Sequence, residues 1–405
     1  MTEPHPLDLP TAADLRARGS LKWTAVPSDI AAWVAESDLG TAPAVTAALH
    51  AAVDAGVFGY LPPAVRADMA RACAQWHSAR YGWEVPVGRV HPVPDVLDAL
   101  KTVIEHFSRP GSPVIVPTPA YMPFLTAPRA WGRRVIQVPM QTAPGPTGPG
   151  DDPAPDVMGL DLPALEAAFT AGGHLLVLTN PHNPTGRVMR REELLALAEV
   201  VERHGGRVFA DEIHAPLTLD GAQHVPYASV SSAAAGHTVT ATSASKAWNL
   251  PGLKCAQIVL SNDADVERWR PLDHLATHGA STLGAIANTA AYSSGGQWLD
   301  GMLPYLQGNS RALGDVLAEH APHVGYTRPQ GTYLAWLDLR CALPSPSDPA
   351  AAAEAVRDLV ARSGVALVDG TACGEAGRGF VRLNLAMPRP LVVEAGRRLA
   401  ACLDR

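Results

Sequence analysis

The sequence predicts an α/β protein built on a mostly parallel sheet. Two observations lead to this fold class. Short runs rich in β-branched and other apolar residues alternate along the chain with helix-like segments. These runs are continuously apolar, which is typical of strands covered by helices on both faces. Alternation of strands and helices favours parallel pairing, because each helix returns the chain to the same edge of the sheet.

Four runs are predicted as strands of a large domain: Pro113–Thr118, Leu175–Asn180, Arg207–Ile213 and Thr238–Thr242. Between the second and the third, Arg191–His204 carries leucines and valines at three- and four-residue steps. This spacing predicts a helix, which a pair of glycines ends.

The rest of the chain gives weaker patterns. Residues 141–160 are rich in Pro, Gly and Asp, which predicts a solvent-exposed loop. The Ala- and Leu-rich stretch from Leu283 to about Glu319 predicts a helix that leads into a second domain. That domain is expected to hold strands near Tyr333–Leu339 and Phe380–Leu385.

Composition excludes several classes of protein. Of 405 residues, 47% are hydrophobic and 18% charged, as in an ordinary folded chain. A formal net charge of −7 does not provide the dense positive surface that nucleic acids require. No apolar stretch reaches the roughly 18 residues of a membrane span. The first residues lack the basic and apolar regions of a secretory signal, so we expect a cytoplasmic protein.

Metal and dinucleotide sites are not expected. The 5 cysteines lie far apart and never as C-x-x-C, which argues against disulfides and structural zinc. His274 and His278 have the spacing of a metal-binding pair on a helix, but no third ligand follows nearby. An interface or a helix face is the expected place for them. No G-x-G-x-x-G motif follows a predicted strand.

Polar residues follow the predicted strands at the edge where ligands gather in parallel sheets. Asn180 ends one strand, Asp211 lies at the end of the next, and Ser243, Ser245 and Lys246 follow a third. A lysine amine can bind an aldehyde, a carboxylate can hold a pyridinium nitrogen protonated, and small hydroxyls can bind a phosphate. Pyridoxal phosphate (PLP) is the cofactor that offers all three groups.

Three motifs carry a family resemblance: NPHNPTGRV, ADEIHAPL and SASKAWNLPGLK. Together they resemble the fold-type I PLP enzymes of the class I/II aminotransferase superfamily. Three further segments are similar to the MalY/PatB branch, the cystathionine β-lyase-like C–S lyases. They are Trp33–Asp38, the pair Gly59-Tyr60 and the sequence TSASKAWNLPGLKCAQ. The resemblance covers nearly the whole chain.

The resemblance implies a role for each matching residue. Lys246 is the expected Schiff-base lysine, Asp211 the partner of the ring nitrogen, Asn183 the donor to the phenolic oxygen, and Tyr121 the ring that stacks on the cofactor and takes part in catalysis. The phosphate is expected to contact Ser243, Ser245, Lys254 and the backbone amides of Val96 and Leu97. Family members often have arginine where this chain has Lys254, and a lysine lacks the bidentate fork.

Three further residues complete the expected site. Arg382 matches the arginine that clamps the substrate α-carboxylate, which Asn183 also contacts. Tyr60 resembles the tyrosine that reaches the cofactor and substrate of the neighbouring subunit, which implies a homodimer. His214 stands beside the cofactor where aminotransferases commonly have a tyrosine, and this argues against an ordinary transaminase.

The resemblance also implies the architecture. The fold is expected to be the PLP-dependent transferase fold of type I. Residues 48–285 would form the large domain with a mostly parallel seven-stranded sheet. Residues 1–47 would join the smaller α+β C-terminal domain, residues 286–405.

The expected function is a PLP-dependent C–S β-lyase that cleaves L-cysteine S-conjugates such as cystathionine to a thiol, pyruvate and ammonia. An aminotransferase remains an alternative, as does other chemistry at Cα, including decarboxylation-linked deamination. A biosynthetic enzyme with a bulky thioether substrate is also compatible. A ligand-sensing protein on the same fold is the alternative from a different class. The presence of Lys246, the expected Schiff-base lysine, favours a catalytic function over a sensing function.

Overall fold

The computed structural model describes residues 5–143, 157–342 and 349–403. Its strands are, in chain order, β1 (Ile30–Ala31), β2 (Val90–Val93), β3 (Val114–Thr118), β4 (Val135–Pro139), β5 (Gln141–Ala143), β6 (Val157–Gly159), β7 (Leu175–Thr179), β8 (Arg207–Asp211), β9 (Thr238–Thr242), β10 (Ala256–Leu260), β11 (Gly325–Tyr326), β12 (Leu334–Asp338), β13 (Val365–Ala366), β14 (Val368–Asp369) and β15 (Phe380–Asn384).

The α-helices are α1 (Ala12–Ala17), α2 (Leu21–Thr24), α3 (Pro43–Asp54), α4 (Pro63–Tyr81), α5 (Val96–His106), α6 (Met122–Ala130), α7 (Leu162–Thr170), α8 (Arg191–Arg203), α9 (Ser232–His237), α10 (Asp263–Trp269), α11 (Asp273–Thr277), α12 (Thr282–Ser294), α13 (Gly296–His320), α14 (Pro349–Ser363) and α15 (Arg389–Leu403). The four predicted strands and the predicted helix of the large domain are confirmed to within two residues at each end.

The large sheet has seven strands in the order β2-β10-β9-β8-β7-β3-β4. Strand β10 is antiparallel to both of its neighbours, β2 and β9, and the other neighbouring pairs are parallel. The mostly parallel seven-stranded sheet expected from the sequence is therefore confirmed.

Continuous apolar runs build this sheet because both of its faces are covered. Val177 and Phe209 pack into a core with α5 and α6, whereas Leu176 and Val208 pack into a second core with α7, α8 and α9. Fully burying such a side chain stabilises the fold by about 1.5–3 kcal/mol. The helices therefore leave only the sheet's ends for polar chemistry.

The second sheet is antiparallel and has four strands in the order β11-β12-β15-β14. Near the N-terminus, β1 pairs in parallel with β13, where Ile30 lies opposite Val365. The chain before the large domain is thus hydrogen-bonded to the C-terminal part. This arrangement agrees with the domain boundaries expected from the sequence, which stay a prediction.

Two expectations were wrong in part. The stretch 141–160 is not all loop, because β5 and β6 pair as an antiparallel ribbon and α7 follows soon after. Residues 144–156 of that stretch lie outside the described residues. The long helix expected from Leu283 to Glu319 is two helices, α12 and α13, which meet at Gly295.

None of the helices within the described ranges has the length and hydrophobicity needed to cross a membrane.

Candidate functional site

Three neighbouring strands end together at one edge of the large sheet. Thr179 at the end of β7 pairs with Asp211 at the end of β8, and Asp211 pairs with Ala241 of β9. The segments that follow these strands therefore start side by side. They carry the polar residues that the sequence places at this edge.

Lys246 contributes an amine of lowered basicity. Its Nζ donates a hydrogen bond to the Ala35 carbonyl oxygen at 2.9 Å. Burial and the neighbouring Arg382 charge lower the pKa of Lys246 to about 8, against the opposing effects of Asp211 and Glu36. A larger fraction of the amine is therefore unprotonated near neutral pH than in an exposed lysine, as a nucleophile or base requires.

Asp211 is a buried carboxyl in need of a cationic partner. It is 4% exposed, and its Oδ1 accepts a hydrogen bond from the backbone N–H of Ile213 at 3.2 Å. Burial raises the pKa of Asp211 to about 7, although the Lys246 charge opposes the shift. A protonated ring nitrogen beside this carboxyl would return it to the ionised form.

Arg382 is a buried guanidinium with unused donors. Its Nη1 donates to Asn183 Oδ1 at 2.9 Å and its Nη2 donates to the Trp33 carbonyl oxygen at 3.0 Å. Its Nε is buried without a partner, and no carboxylate among the described residues forms an ion pair with it. A buried, uncompensated cation is a site for an anion such as a substrate carboxylate.

Two further rings lie at the site. His214 is buried, its Nδ1 has no hydrogen-bond partner among the described residues, and its ring centroid is 6.0 Å from that of Tyr333. Burial, together with the Lys246 and Arg382 charges, keeps the pKa of His214 well below its usual value, so it is neutral. Burial and the Asp211 charge raise the pKa of Tyr121, the residue before α6.

The expected phosphate ligands already have partners within the chain. Asp95 caps α5 by accepting from the Leu97 N–H at 2.9 Å, and it also accepts from Lys254 Nζ at 2.9 Å. The Ser243 hydroxyl donates to the Cys255 carbonyl oxygen at 2.8 Å and accepts from the Ser245 N–H at 3.0 Å. The phosphate roles of these residues, and of the Val96 amide at the start of α5, stay predictions.

Tyr60 lies on the surface of this chain, and its predicted role stays a prediction. Its side chain is 87% exposed, and its ring centroid lies 5.6 Å from that of His278. The ring of His278 is 6.0 Å from that of His274. Across the described residues, no group of three or more His, Cys, Asp or Glu side chains could hold a metal ion.

The sequence analysis missed two functional contributors. The backbone of Trp33–Glu36 supplies carbonyl oxygens to Arg382 and Lys246, a role that leaves no signature in side-chain identity. Asn384 binds the same backbone, and it lies two residues after Arg382 on β15. Since side chains alternate along a strand, this spacing could have placed Asn384 on the same face as Arg382.

The donor set fits pyridoxal phosphate. Lys246 offers an amine to the aldehyde, and Asp211 offers a buried carboxyl to the ring nitrogen. Nδ1 of His214 and Nε of Arg382 are buried polar atoms that find no hydrogen-bond partner within the described ranges of the chain. Such atoms are costly unless a ligand satisfies them.

Known proteins match this arrangement. The family model for aminotransferase class I and II matches residues 34–399. Cystathionine beta-lyase of Corynebacterium glutamicum is 38% identical over 401 residues, which cover 97% of this chain and 99% of that protein. Cystathionine beta-lyase PatB of Bacillus subtilis is 33% identical over 394 residues, which cover 95% of this chain and 97% of that protein.

The structural comparison agrees. A crystal structure from Corynebacterium diphtheriae, provisionally named a PLP-dependent beta-cystathionase, has a TM-score of 0.87 and 39% identity over 98% of this chain and 99% of that one. The predicted fold-type I architecture is confirmed. The chain belongs to the aminotransferase class I and II family, and within it to the MalY/PatB branch that its motifs resemble.

Proposed function

We propose that this chain is a PLP-dependent carbon–sulfur β-lyase acting on L-cysteine S-conjugates of the cystathionine type. The observation that carries the proposal is the Lys246 amine, of lowered pKa, close to the buried carboxyl of Asp211 and to the guanidinium of Arg382, which forms no ion pair with a carboxylate of the described residues. The cystathionine beta-lyases to which the chain is similar over nearly its full length support this reaction and this substrate class.

The cofactor, when bound, withdraws electrons from the substrate Cα and so makes its proton acidic. The residues that would hold it are Lys246, Asp211, Asn183, Tyr121, His214, Ser243, Ser245, Lys254 and the amides of Val96 and Leu97. Asp211, as a carboxylate, would keep the ring nitrogen protonated. A protonated ring is the stronger electron acceptor.

Substrate binding is assigned to Arg382. Two of its nitrogens are already held, by Asn183 and by the Trp33 carbonyl, so the guanidinium is fixed before the substrate arrives. A fixed guanidinium loses less conformational entropy on binding the α-carboxylate. The bound carboxylate then orients the Cα–H bond toward Lys246.

The chemical steps use Lys246 as base. Its unprotonated amine takes the Cα proton, the Cβ–S bond breaks, and sulfur leaves with the electron pair as a thiolate. The remaining three-carbon fragment reacts with water to give pyruvate and ammonia. His214 is neutral and therefore adds no positive charge beside the Lys246 amine.

The proposal includes a homodimer. The ring of Tyr60 and the nearby ring of Phe58 are exposed in the single chain, as the rings of a subunit interface would be. In the proposed dimer Tyr60 would reach the cofactor and the substrate of the partner subunit. A cytoplasmic location stays a prediction.

An assay with L-cystathionine tests the proposal. The purified protein, loaded with PLP, is expected to release pyruvate and a thiol in equal amounts, whereas Lys246→Ala is expected to release neither. Lys101→Ala, on the exposed side of α5, is the matched control and should keep full activity. Transfer of the amino group to a 2-oxo acid without thiol release would instead establish the aminotransferase alternative.

A further inference from the structure

The Ala35 carbonyl oxygen is shared by two donors. Lys246 Nζ donates to it at 2.9 Å, and the Tyr333 hydroxyl donates to it at 3.0 Å. Tyr333 is 1% exposed, and burial raises its pKa, so it stays a neutral phenol and a donor. One carbonyl thus joins a residue of the small-domain side to the reactive lysine.

The backbone around this carbonyl is held in place. The Glu36 N–H donates to the Val34 carbonyl oxygen at 2.9 Å, which closes a three-residue turn centred on Ala35. Asn384 Nδ2 donates to the carbonyl oxygens on both sides, those of Val34 at 2.6 Å and Glu36 at 2.7 Å. The turn therefore presents the Ala35 carbonyl toward Lys246 in a fixed direction.

We propose that Tyr333 is a positioning residue for Lys246: it fixes the Ala35 carbonyl as the resting place of the free ε-amino group and competes with that group for the carbonyl oxygen. The inference rests on the proposed function of Lys246 as an amine that must alternate between cofactor attachment and proton transfer. An ammonium bound by a carbonyl is neither nucleophile nor base. A second donor on the same oxygen weakens its hold on the ammonium.

The other groups facing Lys246 come from three elements. Asp211 at the end of β8 favours the ammonium, and so does Glu36 in residues Trp33–Glu36, which we call the N-terminal turn. Arg382 on β15 opposes it. His214, also beside Lys246, is neutral. Replacing Tyr333 by phenylalanine alters none of these charges, so a change in the titration of Lys246 would report the shared carbonyl.

Capture of PLP by the apoprotein measures this titration without any substrate. The capture rate, followed by the absorbance of the lysine-linked cofactor, rises with pH as the ammonium loses its proton. In Tyr333→Phe the Ala35 carbonyl keeps Lys246 as its one side-chain donor from the part of the chain that the structure describes, and it holds the ammonium more firmly. We expect the midpoint of the pH profile to rise by about half a unit, a roughly threefold slower capture at pH 7.

Two further variants make the test specific. Site-specific 3-fluorotyrosine at position 333 keeps the shape and is a stronger donor, so its midpoint should fall; it also serves if the phenylalanine variant does not fold. Tyr292→Phe removes another buried hydroxyl, one that donates to Gln257 at 3.1 Å, and should leave the midpoint unchanged.

An unchanged or lowered midpoint in Tyr333→Phe, or a raised one with fluorotyrosine, would overturn the inference. That result can coexist with normal pyruvate release by the wild type, in which case the lyase proposal survives. Conversely, the expected shifts in a protein that releases no thiol would support the role of Tyr333 and reject the lyase.

Discussion

The two sides of the site are built in different ways. On the side of the seven-stranded sheet, Asp211 and Lys246 stand at or just after strands β8 and β9, and the proposed chemistry uses their own side chains. On the other side, the N-terminal turn contributes the carbonyl oxygens of Trp33 and Ala35, which bind Arg382 and Lys246. The first side is a set of side chains on a rigid sheet. The second is a backbone held in shape by Asn384 and Tyr333.

This difference determines what each side tolerates. Reactive side chains are lost by single substitutions at their own positions. A backbone acceptor cannot be removed by substitution, and it is disturbed only through the residues that shape the turn. Both sides can be tested by substitution.

The largest effect is expected where the N-terminal turn is anchored. Lys22 is buried, and its Nζ donates to the Glu36 carbonyl oxygen of the turn at 3.3 Å and lies 2.7 Å from Asp38 Oδ2. Burial lowers the pKa of Lys22, and the Asp38 charge opposes this effect. Lys22→Met leaves the Asp38 carboxylate buried without its cation, so the free energy of unfolding in urea should fall by about 3–5 kcal/mol.

A matched control is the exposed pair Arg71–Asp68, where Arg71→Met should cost less than about 1 kcal/mol. The double variant Lys22→Met/Asp38→Asn removes both buried charges and should recover most of the loss. Equal losses in the single and the double variant would show that the anchor is not electrostatic.

On the sheet side, Asp211 should make the stability of the apoprotein depend on pH. Its folded pKa is raised to about 7, so the native state holds this proton between about pH 4 and 7 while the unfolded state releases it. Stability is therefore lost as pH rises through this window. Relative to Asp211→Asn, wild-type apoprotein should lose on the order of 3 kcal/mol between pH 4 and pH 8 in urea titrations.

PLP should suppress this loss, because the ring nitrogen supplies the missing cation. A stability difference that stays constant with pH would contradict the burial of an uncompensated carboxyl at this position.

Arg382→Lys tests both sides of the site at once. Arg382 contacts Asn183, which follows a strand of the large sheet, and the Trp33 carbonyl of the N-terminal turn. A lysine keeps the charge but cannot hold both partners and a carboxylate together. We expect kcat/KM for L-cystathionine to fall about 10- to 100-fold, mainly through KM. Arg340→Lys, at an exposed pair with Asp338, should change neither constant more than about twofold.

The smallest effect is expected at Lys254. Its side chain is 60% exposed and already pairs with Asp95 at 2.9 Å. Lys254→Ala should weaken PLP binding by only about two- to fivefold, the size of an exposed ion pair. The dissociation constant of PLP from the apoprotein measures this. A loss above 100-fold would make Lys254 a principal phosphate ligand.

The sequence predicted the sheet side well and the turn poorly, for a physical reason. Asp211 and Lys246 follow continuously apolar strands, and parallel strands bring their carboxyl ends to one edge, so linear order implies proximity. Tyr333 and Asn384 contact residues that lie 298 and 350 positions away in the chain, respectively. Their targets are carbonyl oxygens, which every residue has, so no pattern of residue types marks them.

The expected phosphate ligands illustrate a second limit. The family resemblance assigns Ser243, Leu97 and Lys254 to the phosphate, but it does not predict the hydrogen bonds that these residues form within the chain. Asp95 competes for two of these donors, and it is visible in the sequence only as a helix-capping residue. Competition between Asp95 and the phosphate for the same donors can be recognised only from the three-dimensional structure.

The turn at Ala35 has a consequence for protein engineering. Because main-chain oxygens serve Arg382 and Lys246 there, a library that randomises the half-buried Val34 side chain should retain many active members, whereas Ala35, which is buried in the core, admits only small side chains. Inserting or deleting a single residue in the same stretch would move both oxygens out of register and should abolish activity. This segment therefore tolerates substitutions better than it tolerates changes in length. Sequence alignments that score residue identity would underestimate its importance.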